Sequence, residues 1–209
     1  MALETARHPR PRIESLSDLI FGLALSVATI SLIIKLPKTP GGILFDVVEF
    51  GFSFLILISV WVSYTSIMSV LPLEEMTTVI LNIVMLFLVS IEPYLFYLNV
   101  VFDFSGHPAL LDAASIAYAL DMAGLMAILA LFTHQLTIED RKLLPQNLLA
   151  KYRRIRTILF FSAGLFALTI APIFWSWTIL STPLRFYLWF APLVLSSVRR
   201  VSEKKTTKE

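Results

Sequence analysis

Three polar side chains, Arg12, Ser17 and Asp18, stand at the start of an apolar segment that carries no further charge until Lys35. Charged groups that lead directly into a membrane-length segment are costly unless they pair or serve a function. Arg12 is close enough in sequence to pair with Asp18, within the chain or between subunits. Ser17 and Asp18 are also typical of a helix N-terminus, where they cap free amide groups and complement the helix dipole. Capping with membrane anchoring is therefore one interpretation, and a functional cluster is the other.

An apolar stripe follows the polar cluster along the same segment. Leu23, Val27, Ile30 and Ile34 recur at the spacing of one helical face, and Ser26 lies beside them. A stripe that faces lipid has no function, whereas one that faces the axis of a symmetric oligomer forms stacked apolar rings. Such rings gate pores by dewetting, and a neighbouring hydroxyl layer replaces part of an ion's hydration shell. The periodicity leaves both interpretations open.

Acidic residues inside other apolar segments are the remaining candidates for chemistry, chiefly Glu92 and Asp121. Intramembrane acids commonly serve as ion or proton relays. The alternative is a hydrogen-bonded carboxyl group that holds helices together. A proton-coupled secondary transporter that uses Asp121 or Glu92 is thus the alternative function to a channel, although no inverted repeat of the transporter kind is visible.

The composition identifies the class of protein that positions these residues. The chain has 209 residues, of which 57% are hydrophobic and 15% charged, and its mean hydropathy is +0.79. This balance predicts an integral membrane protein. The net charge of +2 gives no reason to expect a nucleic-acid partner. With no cysteine and three scattered histidines, no metal site, cofactor or enzymatic nucleophile is expected.

Six apolar segments, each near the ~20 residues that a spanning helix needs, predict an all-α fold with six transmembrane helices. The predicted spans are 16–36, 47–71, 77–101, 109–133, 157–177 and 179–199. Ser181, Thr182 and Pro183 divide the last two, which form either a tight hairpin or a spanning helix and a re-entrant one. The first segment lacks a small-residue cleavage site and is therefore not expected to be a removable signal.

The distribution of basic residues predicts the orientation of these spans. With both termini in the cytoplasm, 14 of the 17 lysines and arginines lie on the cytoplasmic side, as the positive-inside rule requires. Residues 1–15 then form a cytoplasmic N-terminus, 134–156 a cytoplasmic loop with a basic end at the lipid headgroups, and 200–209 a disordered tail. The whole chain, 1–209, is expected to be a single six-helix transmembrane domain.

A family resemblance is carried by the spacing R-x-x-x-L-S-D over residues 12–18. It resembles the R-x-x-x-F-S-D signature of the transmembrane-protein-175 family of potassium channels, with Leu16 in place of the phenylalanine. Trp61 in the second span and Asn82 and Pro93 in the third also match the family's pattern. The likeness covers the first four spans by motif and the last two by hydropathy alone.

The resemblance implies a homotetramer in which the first helices line a potassium pore, with potassium as the permeant ion and no cofactor. Leu23 would form the main hydrophobic constriction, and Val27 and Ile30 would form further rings. Ser26 would supply the polar layer that helps to select potassium. A single-repeat chain is similar to the prokaryotic members, which implies a multi-pass protein of the plasma membrane with itself and the lipid bilayer as partners.

The resemblance also implies a hydrogen-bonded lock that holds the cytoplasmic end of the pore helix. Its members would be Arg12, Ser17, Asp18, Trp61 and Asn82. The family commonly completes this network with a histidine one turn after the tryptophan, and this chain has no histidine between His8 and His107. Tyr64 or Thr65 is expected to take that place.

Overall fold

The structure is a computed structural model that describes residues 12–34, 39–71, 75–138, 143–179 and 182–191. Most of these residues are helical. In chain order the elements are α1 (Arg12–Ile34), α2 (Pro40–Met68), α3 (Met76–Ser105), α4 (Pro108–Leu136), α5 (Gln146–Leu168), α6 (Ile173–Ser176), β1 (Thr178–Ile179), β2 (Thr182–Pro183) and α7 (Leu184–Trp189).

The described helices include three that are long and apolar enough to cross a membrane, namely Pro40–Met68, Met76–Val101 and Pro108–Leu136. A shorter apolar stretch, Ser15–Ile30, lies within α1. The chain is therefore an all-α membrane protein, in agreement with its composition. Helices α1 to α4 correspond to the first four predicted spans. The largest difference is at the start of α2, which begins at Pro40 instead of residue 47.

Local chemistry explains two of the helix ends. The Thr39 side chain accepts a hydrogen bond from the Gly42 amide at 3.1 Å, and Pro40 follows at the first helical position. A hydroxyl cap followed by proline is a typical helix start. The second is the C-terminal end of α3. This helix ends at Ser105, and the next residue, Gly106, has a φ of 73°, which lies in the left-handed region that favours glycine.

Helices α3 and α4 pack antiparallel in a constant register. The pairs that define it are Thr78 with Gln135, Leu88 with Gly124, Phe96 with Tyr118, and Asn99 with Ser115. A Cβ atom at Gly124 would lie 2.9 Å from the Leu88 side chain. The absence of a side chain at this position therefore allows the two helices to approach closely.

Much of the segment 134–156, which is predicted to be a cytoplasmic loop, is helical. Helix α4 continues to Leu136, and α5 begins at Gln146 instead of residue 157. The helix forms because apolar residues recur among its basic residues and give it one apolar face, which includes the buried Tyr152. Arg156 then donates hydrogen bonds to the Thr137 hydroxyl and to His134 Nδ1, both at 3.0 Å, which joins α5 to the end of α4.

The segment after α5 differs from a simple pair of spans. Helix α5 ends at Leu168, not at 177, and is followed by the short α6, the β1–β2 hairpin and α7. Arg185 of α7 is buried and forms a 2.8 Å ion pair with Asp112 of α4. Trp189 of α7 donates to the Thr169 hydroxyl at 3.2 Å. Residues 192–209, which include the last eight residues of the predicted sixth span and the whole predicted tail, lie outside the described residues.

Candidate pore helix and its anchoring network

Helix α1 has one buried and one exposed face, and both are mainly apolar. Ser17, Phe21, Ala24 and Ala28 are buried against α2 and α3. Such an arrangement means that the exposed face is covered by something other than water, either lipid or another copy of the chain. The exposed apolar stripe consists of Leu16, Leu19, Leu23, Val27 and Ile30.

The predicted constriction residues all lie on this exposed stripe. The side chains of Leu23, Val27 and Ile30 are 59%, 40% and 46% exposed. Leu19 is the most exposed residue of the stripe at 67%, and the sequence analysis did not single it out. It is four residues before Leu23, so the helical period could have included it.

Ser26 lies on the exposed side of α1 with two hydrogen bonds along the helix. Its hydroxyl donates to the Gly22 carbonyl at 2.8 Å, and the Thr29 hydroxyl donates to the Ser26 carbonyl at 2.6 Å. Because the single hydroxyl proton of Ser26 points back along the helix, the lone pairs of its oxygen remain available to a cation. Thr29 adds a second hydroxyl near this position, which the sequence analysis also missed.

Asp18 binds a residue of the second helix. The indole nitrogen Nε1 of Trp61 donates to Asp18 Oδ1 at 3.1 Å. Helix α1 begins at Arg12, so Asp18 and Ser17 lie in its second turn. The interpretation of these two residues as the N-terminal cap is therefore wrong, because their side chains point to neighbouring helices. The side chain of Arg12 lies outside the described residues.

Ser17, Tyr64 and Asn82 form a buried polar cluster that joins α1, α2 and α3. The Tyr64 hydroxyl oxygen lies 2.8 Å from Ser17 Oγ and 2.8 Å from Asn82 Oδ1, and Asn82 Nδ2 donates to Ser17 Oγ at 3.4 Å. The three side chains are at most 2% exposed. The ring of Phe21 packs against that of Tyr64 in a tilted arrangement, with centroids 5.5 Å apart.

These contacts define what we call the anchoring network, which consists of Ser17, Asp18, Trp61, Tyr64 and Asn82. Of the two residues expected to replace the family's histidine, Tyr64 makes these contacts. The Thr65 hydroxyl instead donates to the Trp61 carbonyl of its own helix at 2.8 Å. The hydrogen bonds among Ser17, Tyr64 and Asn82 are buried and therefore orient the helix firmly, because breaking one leaves a polar group without a partner in an apolar surrounding. The bond between Asp18 and Trp61 is exposed and adds to them.

The two intramembrane acids singled out from the sequence belong to α3 and α4. Glu92 of α3 is completely buried and accepts hydrogen bonds from the Ser53 hydroxyl at 3.1 and 3.3 Å. Asp121 of α4 is 3% exposed, and neither of its carboxylate oxygens has a hydrogen-bond partner within the part of the chain that the structure describes. Metal-ligand clusters of three or more His, Cys, Asp or Glu side chains are absent from the described ranges.

Two solved structures have the architecture of this chain. One is a lysosomal potassium-selective channel TMEM175 homologue from Chamaesiphon minutus, with a TM-score of 0.61 and 18% identity over 90% of this chain and 96% of that one. The other is a variant of the potassium channel MtTMEM175 in complex with a nanobody–MBP fusion protein, with a TM-score of 0.61 and 16% identity over 100% of this chain and 97% of that one. This chain has the TMEM175 fold.

The resemblance carried by residues 12–18 is thereby confirmed at the level of the fold. Both TMEM175 structures match over almost their entire length, so the likeness includes the region after α4 that the sequence motifs do not cover. Comparison with protein-family models and with curated protein sequences gives no match.

Proposed function

We propose that the chain is one subunit of a homotetrameric potassium channel in which α1 lines the central pore. Each subunit would contribute six transmembrane helices, with both termini on the cytoplasmic side of the plasma membrane. The observation that carries the proposal is the exposed apolar stripe on α1, in a chain with the fold of two potassium channels. The proposal includes no catalytic activity, no resident metal and no cofactor.

The burial pattern of α1 supports a position at the symmetry axis. Its inner face is held against α2 and α3 by the anchoring network, so the stripe keeps one orientation in every subunit. Four copies around an axis would place Leu23, Val27 and Ile30 in successive rings. Narrow apolar rings exclude water unless they widen, which provides a gate without any moving charge.

Ser26 supports cation selectivity in this arrangement. Its hydroxyl oxygen would face ions between the Leu23 and Ile30 rings while its proton remains bonded to the Gly22 carbonyl. Four such oxygens would replace part of the hydration shell of a potassium ion. The neighbouring Thr29 hydroxyl would extend the polar layer.

The decisive experiment measures potassium and sodium flux into liposomes that contain the purified protein. Leu23→Ser should raise the basal flux and lower the potassium-to-sodium ratio, because a hydroxyl wets the main constriction. Leu55→Ser is the matched control, since Leu55 is similarly exposed at 55% but belongs to α2. An unchanged flux and ratio in a folded Leu23→Ser tetramer would refute the assignment of the pore.

A proton-coupled transporter that uses Asp121 or Glu92 is the competing function, and the burial of both acids is the observation that favours it. The two functions differ in kinetics. A transporter would show saturable, proton-coupled uptake that Asp121→Asn abolishes, whereas a channel would retain passive potassium flux in this variant.

A further inference from the structure

Asp121 has no hydrogen-bond partner for its carboxylate in the described part of the chain. It stands in the middle of α4, and its two oxygens are both buried. An ionised carboxylate that is removed from water without hydrogen bonds or a counter-charge is strongly disfavoured. The Asp121 carboxylate therefore requires either a bound proton or a cation beside it.

The register of α3 and α4 places Glu92 at the level of Asp121. The pair Leu88–Gly124 lies on one side of this level and the pair Phe96–Tyr118, with ring centroids 5.8 Å apart, on the other. Glu92 is midway between Leu88 and Phe96 along α3. Because the two helices are antiparallel, the residue opposite Glu92 is midway between Gly124 and Tyr118 along α4, and that residue is Asp121. Two carboxyl groups thus face the same layer of the bundle.

Two hydroxyl groups complete this layer. Ser53 of α2 donates its one hydroxyl proton to Glu92, so most of the lone pairs of that carboxylate remain unused. Tyr118 is three residues before Asp121 on the same face of α4. Its hydroxyl is buried and, like Asp121, has no hydrogen-bond partner within the described ranges, while its ring is packed against Phe96 and Trp189.

Among the residues that the structure describes, none of the elements around these groups brings an unengaged basic side chain to their level. The sequences of α2 and α3 contain no lysine, arginine or histidine, and residues 157–168 of α5 contain no titratable group. On α7, Arg185 is engaged with Asp112, which is nine residues and about 14 Å along α4 from Asp121. His134 is farther away toward the opposite end of the helix, and Asp46 of α2 is another acid.

We propose that Glu92, Asp121, Ser53 and Tyr118 form a site inside each subunit that binds one exchangeable positive charge, either a proton or an alkali cation. The ligands would be carboxylate and hydroxyl oxygens, the donor set that alkali cations and protons share. The site lies between α2, α3 and α4 and is separate from the exposed stripe of α1. It therefore does not depend on the pore proposed for α1.

The test is the thermal unfolding midpoint of the full chain in detergent, followed by tryptophan fluorescence. One series varies the pH from 5 to 9 in choline chloride, and a second replaces choline with potassium or sodium at constant ionic strength. A ligand that binds only the folded state raises the midpoint. We expect the wild-type midpoint to change by about 3 °C or more across one of these series.

The series that shows the change identifies the ligand. A dependence on pH that is the same in all three salts indicates a proton, and a dependence on potassium or sodium at fixed pH indicates an alkali cation. In either case Asp121→Asn should remove at least half of the change. Glu75→Gln is the control, because Glu75 directly precedes α3 and lies 17 residues before Glu92, and it should follow the wild type.

Tyr118→Phe and Ser53→Ala provide the test if Asp121→Asn does not fold. Each removes one hydroxyl ligand and leaves the packing of the side chain in place, so each should weaken the same dependence. A wild-type midpoint that does not vary in either series overturns the proposal. A dependence that Asp121→Asn, Tyr118→Phe and Ser53→Ala all leave unchanged also overturns it.

Discussion

Tyr64 is the residue that best explains how this chain departs from the motif it resembles. Its hydroxyl contacts Ser17 of α1 and Asn82 of α3, so one side chain of α2 joins three helices. A phenol reaches farther than an imidazole and carries one donor and acceptor at its tip. The polar junction can therefore form without the histidine that the family commonly uses.

Tyr64→Phe should lower the free energy of unfolding by about 1–3 kcal/mol, because Ser17 and Asn82 would lose a buried hydrogen-bond partner. The measurement is chemical or thermal unfolding of the protein in detergent. Tyr94→Phe is the control, since Tyr94 is 59% exposed and should change stability little. Equal effects of the two substitutions would contradict an anchoring role for Tyr64.

At the scale of elements, α7 is held against α4 by a buried cation. Arg185 pairs with Asp112 at 2.8 Å and lies over the rings of Trp175 and Phe186, at 5.6 and 5.2 Å from their centroids. Asp112 is 38% exposed while Arg185 is 2% exposed, so water screens one partner only. The ion pair fixes the position of the short hairpin segment on the helix bundle. Its net contribution to stability is small, because burial of the charge offsets the attraction.

Asp112→Asn should cost about 2 kcal/mol of unfolding free energy, because it leaves the buried Arg185 guanidinium without its counter-charge. The same substitution in an Arg185→Met background should cost close to nothing. A double-mutant cycle measured by thermal unfolding gives both values. Equal costs in the two backgrounds would show that the ion pair does not couple α4 and α7.

At the scale of the whole molecule, the proposal depends on what covers the exposed face of α1. Lipid and a second subunit are both compatible with an apolar stripe, and a water-filled axis is compatible only with an oligomer. The chain contains no cysteine, so a single introduced thiol reports on one position without background.

In the proposed tetramer, Val27→Cys should react with a membrane-impermeant, positively charged methanethiosulfonate reagent whenever the rings widen and admit water, because the thiol would then face the wet pore, and potassium flux should fall. Leu55→Cys on α2 is the control, and its thiol should remain unmodified in lipid. Mass spectrometry gives the extent of modification, and liposome flux gives its effect. If both cysteines remain unmodified while flux persists, the stripe faces lipid.

By itself, the sequence determined the membrane class, the approximate limits of α1 to α4 and the spacing of the α1 stripe, because hydropathy and helical period are local properties. It missed the start of α5, since arginines and lysines on one face of a helix have the same composition as a polar loop. Only the tertiary structure decided which face of α1 is buried and which side chains meet there. Trp61, Tyr64 and Asn82 lie 43 to 65 residues from the α1 side chains that they bind, and helical periodicity contains no information about contacts at that separation.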